Sequence, residues 1–253
     1  MLFRSFADMV EVGLGGDMTA AYESEEWAEA YKEGKKMTTS CCPAFINMLK
    51  KHFPEQYENN MSSTISPMCA ISRYLKLIKP GCVTVFIGPC IAKKSEAADK
   101  SVKDNADYVV TYGELRALMR SKNVKFEPVS DNYQESSVWG KRFAGSGGVA
   151  KAVIECMQER GVETQDIKLL AAHGGLECKK ALTLLKFGKL PEDFIEGMVC
   201  PGGCVGGPSR HRHISEINKA REHLLSQADD RKVLDNLKNY PLDKFSMHRD
   251  GHM

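Results

Sequence analysis

The chain has 253 residues, of which 42% are hydrophobic, and its 35 basic residues nearly balance its 33 acidic ones. This length can bury one large core or two modest ones, and the balanced charge excludes a strong field for nucleic acid or an anionic membrane. No apolar run approaches the roughly 20 residues of a membrane span, and the first six residues lack the apolar stretch of a signal peptide. We therefore expect a soluble cytoplasmic protein with no nucleic-acid partner and no membrane span.

The first predicted elements lead to a pair of cysteines. The residue pattern predicts a helix over 17–32 that is capped by its first residue, an aspartate. Pro43 opens a second helix over 44–52, at the early position where proline is tolerated. Cys41 and Cys42 are therefore expected at a helix N-terminus, where the helix dipole and free N–H groups favour a thiolate.

The rest of the chain alternates between strand and helix patterns. Residues 82–87 are apolar and β-branched, which is typical of a strand buried on both faces. This alternation predicts an α/β fold with largely parallel sheets flanked by helices, in a single domain over 1–253 whose segment 209–253 is a charged helical tail. The further predicted strands are 108–112, 167–172 and 194–200, and the further predicted helices are 113–121, 149–160, 182–188 and one or two within 214–240.

Three cysteine segments follow predicted strands: TSCCP at 39–43, GPCIAKK at 88–94 and MVCPGGCVGGP at 198–208. Ligands of parallel sheets bind outside the carboxyl ends of the strands, so we expect the three segments to meet at one site. The four thiols of Cys42, Cys90, Cys200 and Cys204 match the number that a [4Fe–4S] cluster takes. The Cys-x3-Cys spacing of the last pair differs from the Cys-x2-Cys pairs of zinc ribbons, which makes zinc the weaker alternative.

The remaining cysteines and His173 have simpler interpretations. A chain without a secretion signal is not expected to carry a disulfide framework. Cys69, Cys82, Cys156 and Cys178 each stand alone in apolar or helical surroundings, and we expect them to fill core. His173 ends a predicted strand, where a hydrogen-bonded structural histidine is expected.

Taken in order, the three cysteine segments resemble those of the active-site domain of iron-only ([FeFe]) hydrogenases. GDMT at 16–19, SSTISP at 62–67 and SGGV at 146–149 fit as well, so the resemblance runs from about 6 to 208. It implies a two-lobed α/β domain with the cluster between the lobes, and interconversion of H2 with two protons and two electrons. The implied cofactor is the H-cluster, a [4Fe–4S] cube linked to a diiron centre with CO, cyanide and azadithiolate ligands.

The resemblance also implies roles for cofactor-binding side chains. Cys204 would bridge the cube to the diiron centre, and Lys93 would donate a hydrogen bond to a cyanide ligand; the alternative for Lys93 is a solvated charge. The cube ligands would be Cys42, Cys90, Cys200 and Cys204, and the pocket-lining residues would be Pro89, Phe143 and Met198.

A proton relay is implied too. Cys41 resembles the proton-transfer cysteine of the family, and Glu23, Glu26 and Ser62 match the remainder of the relay. Two glutamates in an acidic helix also fit a solvated face, which is the alternative. The usual terminal arginine of the relay corresponds to Ala30, which marks the chain as a divergent member.

The implied partners are ferredoxin or a cluster-bearing subunit for electrons, and hydrogenase maturation proteins for cofactor assembly. The chain begins where the family's opening strand and helix would precede it, so we expect an N-terminally incomplete domain. Two alternatives stay open. One is a non-catalytic iron–sulfur protein, similar to hydrogenase-related assembly factors or H2 sensors, which often lack the first cysteine of the pair; the other is an inactive fragment.

Overall fold

The computed structural model describes residues 6–124 and 134–249. Predictions that fall on residues 1–5, 125–133 or 250–253 lie outside the described residues. Helices and strands alternate, as the sequence predicts. The strands are Met37–Thr38 (β1), Val85–Gly88 (β2), Tyr108–Thr111 (β3), Leu169–His173 (β4) and Phe194–Met198 (β5). The helices are Val12–Lys32 (α1), Pro43–His52 (α2), Pro54–Asn60 (α3), Pro67–Ile78 (α4), Lys93–Ala97 (α5), Tyr112–Ser121 (α6), Val138–Arg142 (α7), Gly148–Glu159 (α8), Gly175–Lys186 (α9), Ile214–Ser226 (α10) and Val233–Leu237 (α11).

The described strands form two parallel sheets. One has three strands in the order β1-β5-β4, and the other pairs β2 with β3. The carboxyl ends of β1 and β5 lead into the first and third cysteine segments, and β2 leads into the second. Thiols from both sheets therefore enter the region beyond the strand ends, where parallel sheets hold their ligands.

Helix α1 forms the centre of the larger core. Its Trp27 is fully buried and stacks on Phe194 of β5 with ring centroids 4.0 Å apart. Gly15 lets α4 approach, because a Cβ there would lie 2.3 Å from the carbonyl oxygen of Pro67. A second core cluster packs α2 and α9 against β5 through side chains that include Phe45, Leu182 and Ile195.

Two predictions about helix starts are wrong. Helix α1 begins at Val12, and Asp17 is not its cap but a buried residue inside it. The backbone N–H of Ser137 (2.7 Å) and the Asn236 amide (2.9 Å) bind the Asp17 carboxylate, while burial raises its pKa to about 6. Helix α9 begins at Gly175, seven residues before the predicted start.

Two predictions about segments are right only in part. The strand near 82–87 is not buried on both faces, since β2 is half-buried along most of its length and Val83 is 66% exposed. The charged tail is helical at α10, which buries no residue. Beyond α10 the chain packs back on the core: Met247 is buried, and its carbonyl accepts a hydrogen bond from the Ile65 N–H (2.8 Å).

Within the described part of the chain, we find no helix with the length and apolar character needed to cross a bilayer.

Candidate iron–sulfur site

Backbone contacts join the three cysteine segments. The thiol of Cys42, at the N-cap of α2, accepts hydrogen bonds from the backbone N–H groups of Val199 and Phe45. The carbonyl of Pro89, beside Cys90, accepts from the Ser209 N–H (3.1 Å). The predicted convergence of these segments is therefore present in the fold.

The third segment approaches its neighbours more closely than a side chain would allow. A Cβ at Gly203 would lie 2.7 Å from the Ser146 backbone nitrogen, and Gly203 has φ +90°, a region that favours glycine. A Cβ at Gly207 would lie 2.7 Å from the Pro89 carbonyl oxygen. These glycines thus position Cys200 and Cys204 against the segments that precede α8 and α5.

The four predicted ligand cysteines differ from the other buried thiols. Cys42, Cys90 and Cys200 are partly exposed and Cys204 is exposed, whereas three of the four predicted core cysteines, Cys69, Cys156 and Cys178, are fully buried. Nearby protein atoms still desolvate the ligand set: burial first, and then the charge of neighbouring thiolates, raise the pKa of Cys200 to about 11 and of Cys204 to about 12. These thiols are close enough to repel one another as anions, so all four would ionise together only with a cationic guest.

The N-terminus of α2 favours a Cys42 thiolate through the Phe45 N–H, as expected, but burial outweighs this effect in the metal-free chain. Burial is the largest influence and raises the pKa of Cys42, although the two backbone N–H donors and the Lys93 charge lower it. Burial and the Glu23 charge likewise raise the pKa of Cys41 well above that of a free thiol. Both thiols therefore carry protons at neutral pH when no metal is bound.

Lys93 is a buried ion rather than a solvated one. Its Nζ donates to Glu96 Oε2 (2.6 Å) and to the carbonyl of Cys41 (3.3 Å), and its side chain is 10% exposed. Burial lowers the Lys93 pKa, but attraction to Glu96 outweighs it and the net shift is upward. Buried Arg249 also lies 3.7 Å from the other Glu96 oxygen. Two cations thus share one carboxylate, which leaves an excess positive charge beside the thiols.

The three predicted pocket-lining residues have different burial. Met198, at the end of β5, and Phe143, directly after α7, are buried, while Pro89 is partly buried. The Met198 sulfur lies 2.9 Å from the position of a Gly203 Cβ, so it borders the third segment directly. Apolar groups thus flank the cysteine segments on the β5 and α7 sides.

The predicted relay residues are neighbours. Glu23 is fully buried, so the solvated-face alternative is wrong for it. Its Oε1 accepts from the Ser40 N–H (3.2 Å), and the nearby Ser62 hydroxyl acts to lower the pKa of both Glu23 and Glu26. Burial, reinforced by the Glu26 charge, raises the pKa of Glu23 to about 8. Cys41, Glu23, Ser62 and Glu26 therefore form a cluster of neighbouring groups that shift one another's pKa values inside the protein.

The pKa of Glu26 shifts in the opposite direction to that of Glu23. Burial acts to raise its pKa, but hydrogen bonds from His248, Ser62 and Ser63 outweigh burial and lower it. Its Oε2 accepts from the Ser63 N–H (3.1 Å), and its Oε1 accepts from the Ser63 hydroxyl. Glu23 therefore holds its proton near neutrality, while its neighbour Glu26 is ionised.

We expect Glu23→Gln to stabilise the metal-free protein, and increasingly so as pH rises. Between the unfolded pKa of 4.5 and the folded value of about 8, the folded state binds the extra proton, so wild-type stability falls with pH by up to about 1.4 kcal/mol per unit. A neutral amide has no such slope, and its advantage should reach about 3 kcal/mol at pH 7.

Denaturant unfolding of wild type and Glu23→Gln at pH 5, 6, 7 and 8 measures this difference. Glu29→Gln, an exposed change on the same helix, is the matched control and should stay within about 0.5 kcal/mol of wild type at every pH. A constant difference between Glu23→Gln and wild type would contradict the raised pKa of Glu23.

The other sequence predictions have mixed outcomes. Cys69, Cys156 and Cys178 fill core as expected, whereas Cys82 is only partly buried in a turn after α4. His173 is structural: its Nδ1 accepts from the Gly202 N–H (3.3 Å) and holds the third cysteine segment. Within 6–124 and 134–249, no three His, Cys, Asp or Glu side chains are arranged to hold a single metal ion.

Sequence reasoning missed four residues of the site. Glu96 pairs with Lys93 three residues away on α5, a spacing that could have suggested the pair. Glu196 is buried on β5 and accepts from the Gly147 and Ala150 N–H groups, which caps α8 beside the third segment. His248 and Arg249 reach α1 and Ser40 from the carboxy-terminal segment, and no local pattern signals these contacts.

Parallel sheets with cysteines at their strand ends define an α/β domain built around a thiol-lined site. The chain belongs to the family described as iron only hydrogenase large subunit, C-terminal domain, which matches residues 4–208. This confirms the resemblance inferred from the cysteine segments.

Individual relatives include hydrogenases and other iron–sulfur proteins. Iron hydrogenase 1 of Clostridium pasteurianum is 25% identical over 89% of this chain and 48% of its own length. A probable cytosolic Fe-S cluster assembly factor of Drosophila grimshawi is 24% identical over 80% of this chain and 55% of its own length. The chain thus spans about half the length of these curated relatives.

A solved structure has the same fold. A variant of an [FeFe]-hydrogenase from Chlamydomonas reinhardtii superposes with a TM-score of 0.71 at 22% identity, covering 98% of this chain and 86% of that chain. The match confirms the predicted α/β architecture with parallel sheets flanked by helices.

Proposed function

We propose that this chain is the H-cluster domain of an [FeFe] hydrogenase and interconverts H2 with two protons and two electrons. The proposal rests on the combination of two features. Four thiols lie beyond the ends of three strands, and a cluster of buried polar side chains extends from Cys41 to Glu26. A purely structural thiol site would need the first feature only.

The residues present fit the cofactor. Cys42, Cys90, Cys200 and Cys204 would hold the cube, with Cys204 shared with the diiron centre, and none of these four residues is fully buried. When bound, the cofactor would supply the iron at which H2 is formed or split. Cyanide ligands are anionic, and the excess positive charge of Lys93 and Arg249 over Glu96 suits them.

One ammonium hydrogen of Lys93 remains available to donate to a ligand. Two of its three ammonium hydrogens are used by Glu96 and the Cys41 carbonyl. The third would donate to a bound cyanide. Met198 and Phe143 are buried beside the third segment and would exclude water from this side.

The chain's own groups would move protons to this site. Cys41 Sγ carries a proton at neutral pH and would give it up toward the reaction site. Glu23, whose carboxyl also holds its proton near neutrality because burial raises its pKa to about 8, would then reprotonate Cys41. Ser62 would connect Glu23 to ionised Glu26 by exchanging hydrogen bonds with both.

We expect Lys93→Met to lower both stability and hydrogen turnover. The change leaves Glu96 buried with only Arg249 at 3.7 Å, and should cost about 1–3 kcal/mol, less than the full penalty for breaking a buried pair because one cation remains. The lost donor should reduce cofactor retention and turnover at least tenfold, about the 1.4 kcal/mol of one hydrogen bond to a charged group.

Lys94→Met is the matched control for Lys93→Met, because Lys94 pairs with Glu114 at an exposed site. It should change unfolding free energy by less than about 0.5 kcal/mol and leave turnover intact. Equal effects of the two variants on turnover would contradict the role given to Lys93.

A second candidate function is a non-catalytic iron–sulfur protein. The similarity to a probable cytosolic Fe-S cluster assembly factor supports it. Cys41 and the buried ammonium of Lys93 favour the enzyme, because electron storage or cluster transfer needs neither a proton-transfer thiol nor a cyanide donor.

We place the protein in the cytoplasm, as the cytosolic relative suggests, with ferredoxin or a cluster-bearing subunit as electron partner and maturation proteins for assembly.

Hydrogen evolution from reduced methyl viologen tests the proposed function. The chain would be produced anaerobically together with hydrogenase maturation proteins and assayed beside a cofactor-free sample. Continuous H2 release above the cofactor-free sample is expected. Bound iron and sulfide without H2 release would overturn the enzyme proposal in favour of the second candidate.

A further inference from the structure

The carboxy-terminal segment brings an imidazole to Glu26. His248 Nδ1 lies 2.7 Å from the Ser63 hydroxyl and 3.2 Å from Glu26 Oε1. The Ser63 hydroxyl in turn donates to the same Glu26 oxygen. The imidazole is therefore connected to the carboxylate both directly and through one hydroxyl.

The backbone fixes this imidazole in place. His248 forms an antiparallel bridge with Thr64, and its carbonyl accepts from Arg73 Nη1 (3.0 Å). The next residue, Arg249, donates its backbone N–H to the Ser63 carbonyl (2.9 Å). Because the backbone is held on both sides of His248, its side chain has a defined position beside Glu26.

The position also reaches water. The His248 side chain is 38% exposed, whereas that of Glu26 is 18% exposed and Glu23 is fully buried. Exposure therefore rises along the path from Glu23 to Glu26 to His248. Ala30, four residues after Glu26 on α1, is buried and carries no polar group.

We propose that His248 is the outer proton-exchanging group of the relay, connecting Glu26 to solvent through Nδ1 and the Ser63 hydroxyl. This inference rests on the proposed function, because it extends the proton path assigned to Cys41, Glu23, Ser62 and Glu26. His248 acts through Glu26 and is a positioning and proton-exchange residue rather than a catalytic one.

The proton balance of the step is simple. The imidazolium gives its Nδ1 proton to the Ser63 oxygen while the Ser63 hydroxyl proton moves to Glu26 Oε1. The products are a neutral imidazole and a protonated Glu26. A water-assisted tautomer shift then moves the remaining ring proton from Nε2 to Nδ1, and hydronium from solvent protonates the vacated Nε2, which restores the imidazolium and leaves water. In the reverse direction each step runs backward.

The charges around His248 suit this exchange. The groups that face it are Tyr22, Glu25 and Glu26 of α1 and Arg73 of α4. The hydrogen bond to Glu26 is the largest influence and raises the His248 pKa, burial opposes it, the charges of Glu26 and Glu25 also raise it, and Arg73 lowers it. The Glu26 pKa is lowered, so both shifts favour an imidazolium beside a carboxylate.

The first test uses the metal-free protein. NMR titration of the His248 ring should show a pKa above 6.5, and Glu26→Gln should move it downward because the largest cause of the shift is lost. The ring of His223, exposed on α10, should not respond to Glu26→Gln. A His248 titration that Glu26→Gln leaves unchanged would overturn the proposed connection.

The second test uses the cofactor-loaded protein. His248→Ala should reduce H2 turnover about tenfold, less than the roughly 10²- to 10⁴-fold of a directly acting acid or base, and added imidazole should restore it. His248→Gln keeps hydrogen-bonding capacity but exchanges no proton, so it should be equally slow, and it should be rescued less than His248→Ala because its side chain fills the space that imidazole needs. His223→Ala should leave turnover unchanged.

The two possible failures are distinguishable. If wild type evolves H2 but His248→Ala is neither slowed nor rescued by imidazole, the inference is wrong and the proposed function stands. If wild type with a loaded cofactor evolves no H2, the proposed function is wrong and the inference is overturned with it. Slowing without rescue in both His248 variants would indicate a structural role and would also overturn the inference.

Discussion

Replacing Cys41 with serine is expected to lower hydrogen turnover to about 1% of wild type or less, while iron and sulfide content stay unchanged. Cys41 is buried beside Cys42, a proposed ligand of the cube, and Glu23 is close enough for its charge to shift the Cys41 pKa. A serine hydroxyl occupies similar space but releases its proton far less readily than a thiol. Loss of an acid–base group in this position costs roughly 10²- to 10⁴-fold.

Turnover per bound cluster, measured with reduced viologen, separates this effect from poor loading. Cys156→Ala is the control, since Cys156 is a fully buried thiol of α8 with no place in the relay. The control should lose some stability through the cavity it creates and should keep its turnover per cluster. Wild-type turnover in Cys41→Ser would remove Cys41 from the proton path.

Replacing Cys204 with alanine is expected to abolish stable cluster binding. In the proposed site this thiolate holds the cube and is shared with the diiron centre, so its loss removes the connection between the two parts. The exposed Cys204 fills no core, and its removal should leave the free energy of unfolding of the metal-free chain within about 0.5 kcal/mol of wild type.

Anaerobic reconstitution with iron and sulfide measures this effect. Wild type should bind about four iron atoms, and Cys204→Ala should lose most of them on gel filtration. Cys178→Ala is the matched control, because Cys178 is a buried thiol that donates to the Ala172 carbonyl (3.5 Å) and faces core. A stable cluster with full iron content in Cys204→Ala would contradict the ligand assignment.

The location of the site was predictable because it depends on local patterns. Strand β2 ends two residues before Cys90, and β5 ends two residues before Cys200. Short β-branched runs followed by Gly and Pro signal such strand ends. The rule that parallel strands bind ligands beyond their carboxyl ends then brings the segments together.

The charged surroundings of the site were not predictable, because they depend on long-range contacts. Arg249 reaches Ser40 across 209 residues of sequence, and His248 reaches Ser63 across 185. Asp17 illustrates the same limit: an aspartate before an apolar run resembles a helix cap, yet a partner 120 residues away lets it be buried inside α1. Long-range hydrogen bonds to Asp17 thus outweigh the local preference of aspartate for the start of a helix.

Infrared spectroscopy of the chain produced anaerobically with hydrogenase maturation proteins tests the central claim most directly. Sharp CO and cyanide stretching bands, lost in Cys204→Ala, are expected if the diiron centre loads into this domain. Iron and sulfide bound to the four cysteines without such bands would contradict a hydrogenase function and would support a non-catalytic iron–sulfur protein.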